Sequence, residues 1–222
     1  MSEGNVSAKR SVGNLIDAVK QFDHFINNLL NDERPDSFAS VAVFSDCFVL
    51  SMRPDQVLYL IRETGNLCRY LLLHGLPCRG AIASGSLHHR ERIVVGPALV
   101  KAYRLEQSVA VYPRVIVDET TLEHWAEEFA PGSAHPHLQS WVKRDRDGQW
   151  FIDIFSPHWS DVIPSLGAAP REPGDFLKAA YEPLRQGLAN NRNSAKIYAK
   201  YAWLASEYNE HARERSLPVI AS

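Results

Sequence analysis

Residues 94–118 read VVGPALVKAYRLEQSVAVYPRVIVD, and this stretch indicates the fold class. An apolar run, RIVV, predicts a strand that ends at Gly96. The proline that follows suits the first turn of a helix, so we predict a helix over residues 97–108. The string RVIVD after it predicts another strand. A strand, a helix and a strand in direct succession are typical of an α/β protein.

Helical and strand patterns continue on both sides of this stretch. The string ASVAVFSDCFVLS predicts two short strands in a hairpin, with Ser45 and Asp46 at its polar tip. The string CRGAIASG alternates small and apolar residues, as a tightly packed strand would. The order predicts an α/β (α+β) fold: a mixed sheet packed by helices, with further helices at the C-terminus. Helical spacing covers residues 14–30, 56–73, a segment with Trp125 and Phe129, 174–188 and 194–214, and the strand QWFIDIF precedes the last two.

The composition excludes several classes of function. The formal net charge is −2, whereas binding of nucleic acid needs a basic surface, so we expect no nucleic-acid partner. No stretch approaches the roughly 20 apolar residues of a membrane span, and the first residues, MSEGNVSAKR, lack the apolar core of a signal peptide. Three cysteines without metal-type spacing suit a reducing compartment. We therefore expect a cytoplasmic protein with no membrane partner.

Two residues are candidates for chemistry. Asp46 lies at a hairpin tip, where a carboxylate can hold a hard cation against a phosphate chain, although a turn aspartate also commonly bonds its own backbone. Arg104 lies in the helix that begins directly after Gly96. Helix N-termini favour anions, and an arginine can stabilise charge on a transferring phosphoryl group. The alternative is that Arg104 and Lys101 are solvated and that Glu106 forms a surface pair.

Three other features have simpler interpretations. We interpret Cys47 as an inert thiol in the core, because it lies in a mostly apolar strand. We place His88 and His89 in a surface loop. The aromatic residues of the last helix, Tyr198, Tyr201, Trp203 and Tyr208, are interpreted as packing rather than as a binding face.

Five strings, taken in order, resemble segments of the class III nucleotidyl cyclases. The nearest resemblance is to the compact bacterial pyrimidine cyclases of antiphage signalling systems (Pycsar). The strings are FSDCFVLS, RGAIASGSLHH, IVVGPALVKAYRLE, VAVYPRVIVD and KYAWLASEYN. They cover residues 39–118 well and the C-terminal helix loosely. The resemblance implies a ferredoxin-like cyclase core over residues 1–165, with a C-terminal helical extension, residues 166–222, packed on it.

The resemblance also implies an activity. In such enzymes the ribose 3′-oxygen attacks the α-phosphorus of a nucleoside triphosphate in line, and pyrophosphate leaves. Two divalent ions, Mg²⁺ or Mn²⁺, are held by two aspartates, and an arginine from the other protomer neutralises the transition state. Asp46 matches the second metal aspartate and Arg104 the transition-state arginine, so a homodimer would build composite sites. The cyclic nucleotide would be a second messenger in antiphage defence, sensed by a separate effector.

The positions that read the base indicate a pyrimidine. Adenylate cyclases usually have a lysine and an acidic or hydroxyl residue at the positions of Ala42 and Ile93, and neither side chain here can hydrogen-bond adenine. Ala42, Ile93 and Phe44 are therefore the candidates for the base pocket. The family favours UTP over CTP, which would make cyclic UMP the product. Many purine cyclases have an asparagine four residues before the arginine, where this chain has Val100.

The first metal aspartate has no clear equivalent. A cyclase core normally begins with a central strand that carries it, but the residues before the helix at 14–30 make a poor strand, and Asp17 and Asp23 fall within the helical pattern. We expect that strand to lie upstream of Met1, so that this form turns nucleotide over poorly. Alternatively, residues 4–12 or a partner chain supply it. Two other functions stay open: a cyclase that uses a purine triphosphate, and a catalytically degenerate cyclase-like module that binds nucleotide or dimerises.

Overall fold

The computed structural model describes residues 39–44, 47–129, 140–159 and 175–221. These residues form eight strands and five α-helices, with a short 3-10 helix, Pro54–Gln56, before the first α-helix. The strands are β1 Ser40–Phe44, β2 Cys47–Ser51, β3 Gly80–Ile82, β4 His88–Arg90, β5 Ile93–Val95, β6 Val115–Val117, β7 Val142–Arg144 and β8 Trp150–Ile152. The helices are α1 Val57–Leu73, α2 Pro97–Ser108, α3 Glu119–Phe129, α4 Asp175–Asn190 and α5 Ala195–Glu214.

A mixed four-stranded sheet carries most of the fold. Its strand order is β3-β6-β8-β7. β3 runs parallel to β6, with Ala81 opposite Ile116, and the other neighbouring strands are antiparallel. All three residues of β6 are buried, as expected for an inner strand of a sheet that is covered on both faces. The other described strands form two antiparallel hairpins, β1–β2 and β4–β5.

The side chains of β6 point alternately to the two faces of this sheet. On one face, Val115 and Val117 pack in a cluster with Ile61 of α1. On the other face, Ile116 packs in a cluster that includes Trp203 of α5. The sheet is therefore a middle layer, with α1 on one side and α5 on the other.

The hairpin β1–β2 packs on the same helix, α1. Leu67, Tyr70 and Leu71 are buried on α1, and Phe48 and Leu50 of the hairpin pack against them. Because α1 also packs on the sheet, one helix fixes the hairpin relative to the sheet.

The two C-terminal helices share the core of the sheet. Gly187 of α4 lies against the ring of Tyr201 in α5, and a Cβ added to this glycine would lie 2.1 Å from a ring carbon. The hydroxyl of Tyr201 donates a hydrogen bond to the backbone oxygen of Gly75, 3.1 Å away, just beyond α1. One buried cluster joins both helices to Leu72 of α1 and to Phe155. Helices α4 and α5 are therefore packed on the sheet layers, and the expected boundary after residue 165 lies outside the described residues.

Two groups of ion pairs connect the strands of the sheet to neighbouring segments. Arg114, just before β6, has a side chain 2% exposed and forms ion pairs with Asp145 and Asp147 in the turn between β7 and β8. The Nζ atom of Lys143 in β7 lies 2.6 Å from a carboxylate oxygen of Glu207 in α5. The buried arginine ties β6 to the β7–β8 turn, and the lysine ties β7 to the last helix.

Aromatic rings fill the spaces around the sheet. Trp141 and Trp159 stack with their ring centroids 5.3 Å apart. Trp203 stacks on Tyr112 at 5.6 Å, and Phe151 of β8 meets it edge-on. The prediction that the aromatic residues of the last helix serve packing is confirmed by the buried cluster around Tyr201 and Tyr208.

The mixed α/β architecture confirms the predicted fold class, and the structure also corrects details. The hairpin at residues 39–51 and the helix at 97–108 are as predicted. His88 and His89 lie in β4, so their assignment to a loop was wrong. Cys47 is exposed, so its assignment to the core was wrong. The predicted helix at 14–30 lies outside the described residues. Among the helices of the described ranges, none is long and apolar enough to cross a membrane.

Candidate functional site

The two hairpins meet at a hydrogen bond between Ser51 and His89. The Oγ atom of Ser51 lies 2.7 Å from Nδ1 of His89. Ser51 pairs with Ser40, and Ala42 lies two residues further along on the same face of the hairpin. The face with Ala42 is therefore turned toward β4–β5, and Ala42 is 2% exposed. Burial lowers the pKa of His89 and so favours the neutral form of the imidazole at this contact.

Ile93 lies on the other face of the hairpin β4–β5. His89 pairs with Val94, so Ile93 is the next residue along and points to the opposite side. Its side chain is 63% exposed, whereas that of Ala42 is closed to solvent. Within one chain, the structure therefore does not bring Ile93 and Ala42 together as two walls of one pocket.

The hairpin tip lies partly outside the described residues. Phe44 ends β1 and pairs with Cys47, which begins β2. Asp46, the candidate metal ligand, stands between them in the sequence, and neither it nor the side chain of Phe44 is among the described groups. In the part of the chain that the structure describes, no group of three or more His, Cys, Asp or Glu residues could hold a metal ion.

Gly96 joins β5 directly to α2. Its φ is 148°, and a Cβ added there would lie 2.5 Å from the backbone oxygen of Ser86, so this position requires glycine. Pro97 begins the helix, as predicted. The N–H of Ala98 donates to the same oxygen of Ser86 at 3.3 Å. One N–H group at this helix start therefore already has a protein partner.

Two ion pairs orient α2. The Nζ atom of Lys101 lies 2.6 Å from Oδ2 of Asp118, just after β6. The Nε atom of Arg79, just before β3, lies 2.6 Å from Oε1 of Glu106. The alternative interpretation of this helix predicted that Lys101 is solvated and that Glu106 forms a surface pair. The structure shows an ion pair for both residues, so the prediction is wrong for Lys101 and confirmed for Glu106. These contacts turn one face of α2 toward β3 and β6.

Arg104 lies on the opposite, outer face of α2. It is exposed, beside Val100 and Tyr103, which are 48% and 62% exposed. Among the described residues, the ion pairs of α2 involve Lys101 and Glu106 and not Arg104. The side chain of Arg104 is therefore exposed on the face of α2 that carries neither of these two ion pairs. Val100, four residues before Arg104, presents only an apolar side chain.

Asp118 is the centre of a polar cluster that the sequence interpretation missed. Its carboxylate accepts hydrogen bonds from Lys101, Thr120 and Thr121 at 2.6 to 3.0 Å. Burial alone would raise the pKa of Asp118, but these donors outweigh burial and hold the pKa below its usual value. The backbone N–H of Thr121 is one of the donors, so Asp118 also caps α3. The cap could have been predicted from the sequence, because an aspartate directly before a helical pattern indicates one. The contact with Lys101 could not, because this residue belongs to another helix.

The chain matches no protein-family model, no curated protein and no solved structure. An inference about its function therefore rests on its own residues. They are the exposed Arg104 on α2 and the hairpin β1–β2, whose two strands flank Asp46 in the sequence.

Proposed function

We propose that the chain is the catalytic domain of a class III nucleotidyl cyclase. It converts a pyrimidine nucleoside triphosphate to the 3′,5′-cyclic monophosphate and pyrophosphate, with UTP preferred over CTP. The domain has the ferredoxin-like cyclase core, works in the cytoplasm and forms a homodimer with composite sites. Its product, cyclic UMP, is a second messenger in antiphage defence that a separate effector senses.

The observation that carries this proposal is the presentation of Arg104. Its neighbours Lys101 and Glu106 are paired toward the sheet, so the helix is fixed while Arg104 points outward. An arginine in this state can reach a nucleotide held by another protomer. There its fixed positive charge stabilises the charge that develops on the phosphoryl oxygens as the leaving group departs.

Exposed apolar side chains on β5 and α2, the strand and the helix that meet at Gly96, favour a second copy as the partner. Ile93 and Val95 on β5 and Val100 and Tyr103 on α2 are each between 48% and 63% exposed. Exposed apolar groups on adjoining elements are typical of a surface that another protein covers. A second copy that covers them would bring Arg104 into the interface, where a composite site needs it.

The divalent ions of the proposed reaction need hard oxygen ligands. In the proposal, Asp46 supplies one carboxylate and the triphosphate supplies further oxygens, and the described residues add no cluster of three ligands. When bound, Mg²⁺ or Mn²⁺ would lower the pKa of the ribose 3′-hydroxyl and offset the charge of the triphosphate.

Incubation of the chain with each of the four nucleoside triphosphates and Mn²⁺, followed by chromatography, tests the activity. We expect cyclic UMP as the main product, a smaller amount of cyclic CMP, and no product after addition of a chelator. A profile dominated by cyclic AMP or cyclic GMP would instead support a purine cyclase that reads the base through its backbone.

Mixing two inactive variants tests the composite site. Asp46→Ala and Arg104→Ala damage complementary halves, so a heterodimer of the two keeps one intact site. We expect the mixture to recover part of the wild-type activity. No recovery after confirmed exchange of subunits would show that one chain builds its site alone.

A catalytically degenerate module that binds nucleotide or only dimerises is the second candidate. The orientation of Ile93 favours it, because Ile93 points away from the face of Ala42 and the two do not form a pocket in one chain. Calorimetric titration with each triphosphate, alongside the product assay, separates the two functions. Binding without turnover at any divalent ion would support the degenerate module.

A further inference from the structure

Two cysteines outside the proposed nucleotide site lie in direct contact. The Sγ atoms of Cys68 and Cys78 are 3.2 Å apart. Cys68 is on α1 and 7% exposed, and Cys78 follows the end of that helix and is partly exposed. A disulfide bond is about 2.05 Å long, so an approach of roughly 1.2 Å would join the two sulfur atoms.

The turn after α1 holds Cys78 beside the helix. Gly75 has φ of 74°, a backbone conformation that favours glycine. The N–H of Leu76 donates back to the oxygen of Leu71 at 2.9 Å, which closes the helix end. Two residues beyond Cys78, Gly80 pairs with β6 in the sheet. Anchors on both sides therefore fix the position of this thiol.

Both thiols also line a small cavity. Its volume is about 20 Å³, and its other lining residues include Leu72, Pro77 and Arg114. A cavity of this size holds about one water molecule. Hydrogen peroxide is only one oxygen atom larger than water, and Cys78 is the more exposed of the two residues.

We propose that Cys68 and Cys78 are an oxidation site at which hydrogen peroxide forms a reversible intramolecular disulfide. The thiolate of Cys78 attacks one peroxide oxygen, the O–O bond breaks, and the departing hydroxide takes a proton to become water. The sulfur of Cys68 then attacks the sulfenic acid of Cys78, the S–O bond breaks, and the thiol proton of Cys68 leaves with the second water. Two thiols are oxidised, one peroxide is reduced, and two water molecules form.

The environment distinguishes the two sulfurs. The contact between the two sulfur atoms lowers the pKa of the Cys78 thiol, and the same contact, together with burial, raises the pKa of the Cys68 thiol. The cysteine with the lower thiol pKa is also the more exposed residue, which suits Cys78 to attack the oxidant. Cys68 stays protonated and buried beside it, as the thiol that resolves the sulfenic acid.

The bond would connect α1 to the segment that leads into β3. Helix α1 supports the hairpin β1–β2, and Cys78 itself packs against the cluster of Leu67, Tyr70 and Leu71 that holds this hairpin. Oxidation therefore fixes the part of the fold on which the candidate site stands. Because a cross-link restricts the unfolded chain, we expect the oxidised protein to melt several degrees higher than the reduced one.

Tryptic mapping of the full chain after treatment with one equivalent of hydrogen peroxide tests this proposal. Trypsin places the two cysteines in separate peptides, residues 63–69 and 70–79, and leaves Cys47 in a third. We expect the first two peptides to be joined, with the loss of two hydrogen atoms, and to separate again after reduction. The variant Cys47→Ser should behave in the same way.

The variant Cys68→Ser is the matched control. Without the resolving thiol, the reaction should stop at the sulfenic acid of Cys78, which a dimedone probe labels, and the melting temperature should not rise. The proposal is overturned if the wild-type peptides stay separate while peroxide is consumed. A disulfide that includes Cys47 in place of Cys68 would overturn it as well.

Discussion

Two regions of the molecule differ in how completely they are covered. The sheet half consists of β3, β6, β8 and β7 with α1, α3, α4 and α5. The site half consists of the hairpins β1–β2 and β4–β5 with α2. In the sheet half, Ile116 and Leu184 are fully buried, and Arg114 lies between two carboxylates. Among the side chains that the structure describes in the site half, the buried ones belong to two alanines, Ala42 and Ala98.

This difference separates the part whose packing stabilises the fold from the part that leaves large apolar side chains exposed. Burial of large apolar side chains stabilises the sheet half, because each contributes on the order of 1.5–3 kcal/mol. The site half leaves Ile93 and Tyr103 more than 60% exposed and so gains little from its own packing. Substitutions in the sheet half should therefore change stability, and those in the site half should change binding and turnover.

The largest expected effect is on turnover in the site half. On the proposed function, Arg104→Ala should lower kcat about 1,000-fold, because an arginine of this role contributes about 4 kcal/mol to the transition state. Its melting temperature should match that of the wild type, since the side chain is exposed. Arg92→Ala, at an exposed arginine in the turn of β4–β5, is the matched control and should keep full activity. Equal losses in both variants would contradict a specific role for Arg104.

The next effect should be on stability in the sheet half. Leu184→Ala removes a fully buried side chain from the cluster between α4 and α5, and should lower the free energy of unfolding by about 3 kcal/mol. Ile197→Ala, at a site on α5 that is 43% exposed, should change it by less than about 0.5 kcal/mol. Urea denaturation measures both. A similar loss at both positions would mean that burial does not distinguish them.

A buried charge should have a somewhat smaller effect. Arg114→Met leaves Asp145 and Asp147 without their partner, and we expect a loss of about 2 kcal/mol, moderated because both carboxylates keep some contact with water. Arg144→Met breaks a pair with Glu119 in which both side chains are more than half exposed, so it should change stability by less than about 0.5 kcal/mol. If the two variants unfold at the same urea concentration, the ion pairs of the buried Arg114 contribute no more to stability than the exposed pair of Arg144.

The pH dependence should show a smaller effect at the base of the site half. The pKa of Asp118 is lower in the folded chain than in the unfolded chain, so the unfolded state binds the proton more tightly. The stability that this carboxylate contributes is therefore present above pH 4 and is lost as the pH falls through its folded pKa. Asp118→Asn keeps a helix cap and should cost up to about 1 kcal/mol at pH 7. The gap between wild type and variant should close in acid, and a gap independent of pH would exclude the charge as its cause.

The smallest expected change in stability is at the exposed apolar surface. Tyr103→Ser should alter the unfolding of the isolated chain by less than about 0.5 kcal/mol, because the ring is 62% exposed. If a second copy covers this surface, the same change should weaken self-association in sedimentation experiments. If the wild-type and variant chains sediment alike at every concentration, this surface is not the dimer contact.

The sequence predicted the elements whose signals are local. The start of α2 follows from Gly96 and Pro97, and the hairpin β1–β2 follows from alternating residues around a polar tip. β4 was missed because its residues are polar and its turn lacks a glycine: Glu91 has φ of 54°, which glycine or asparagine would usually signal. β7 was missed for a similar reason, since three residues with two charges carry little apolar pattern.

The candidate site was less predictable, because it depends on contacts between distant segments. Two of its contacts join residues that are far apart in the chain: Ser51 with His89, and Lys101 with Asp118. No local sequence pattern predicts such contacts. The orientation of Ile93 depends on the register of β5 against β4. A shift of one residue in this register would turn the Ile93 side chain to the opposite face of the hairpin. Asp46 and the assignment as a cyclase stay predictions.

The positions of the tryptophans determine which changes in this protein intrinsic fluorescence can detect. All five belong to the sheet half or to the loops that pack on it, including the stacked pair Trp141 and Trp159, and the site half contains none. Tryptophan emission should therefore follow unfolding of the sheet half and change little when a nucleotide or a second copy contacts α2. A tryptophan introduced by Tyr103→Trp would give the site half its own fluorophore, whose emission shifts to shorter wavelengths when a partner displaces water from it.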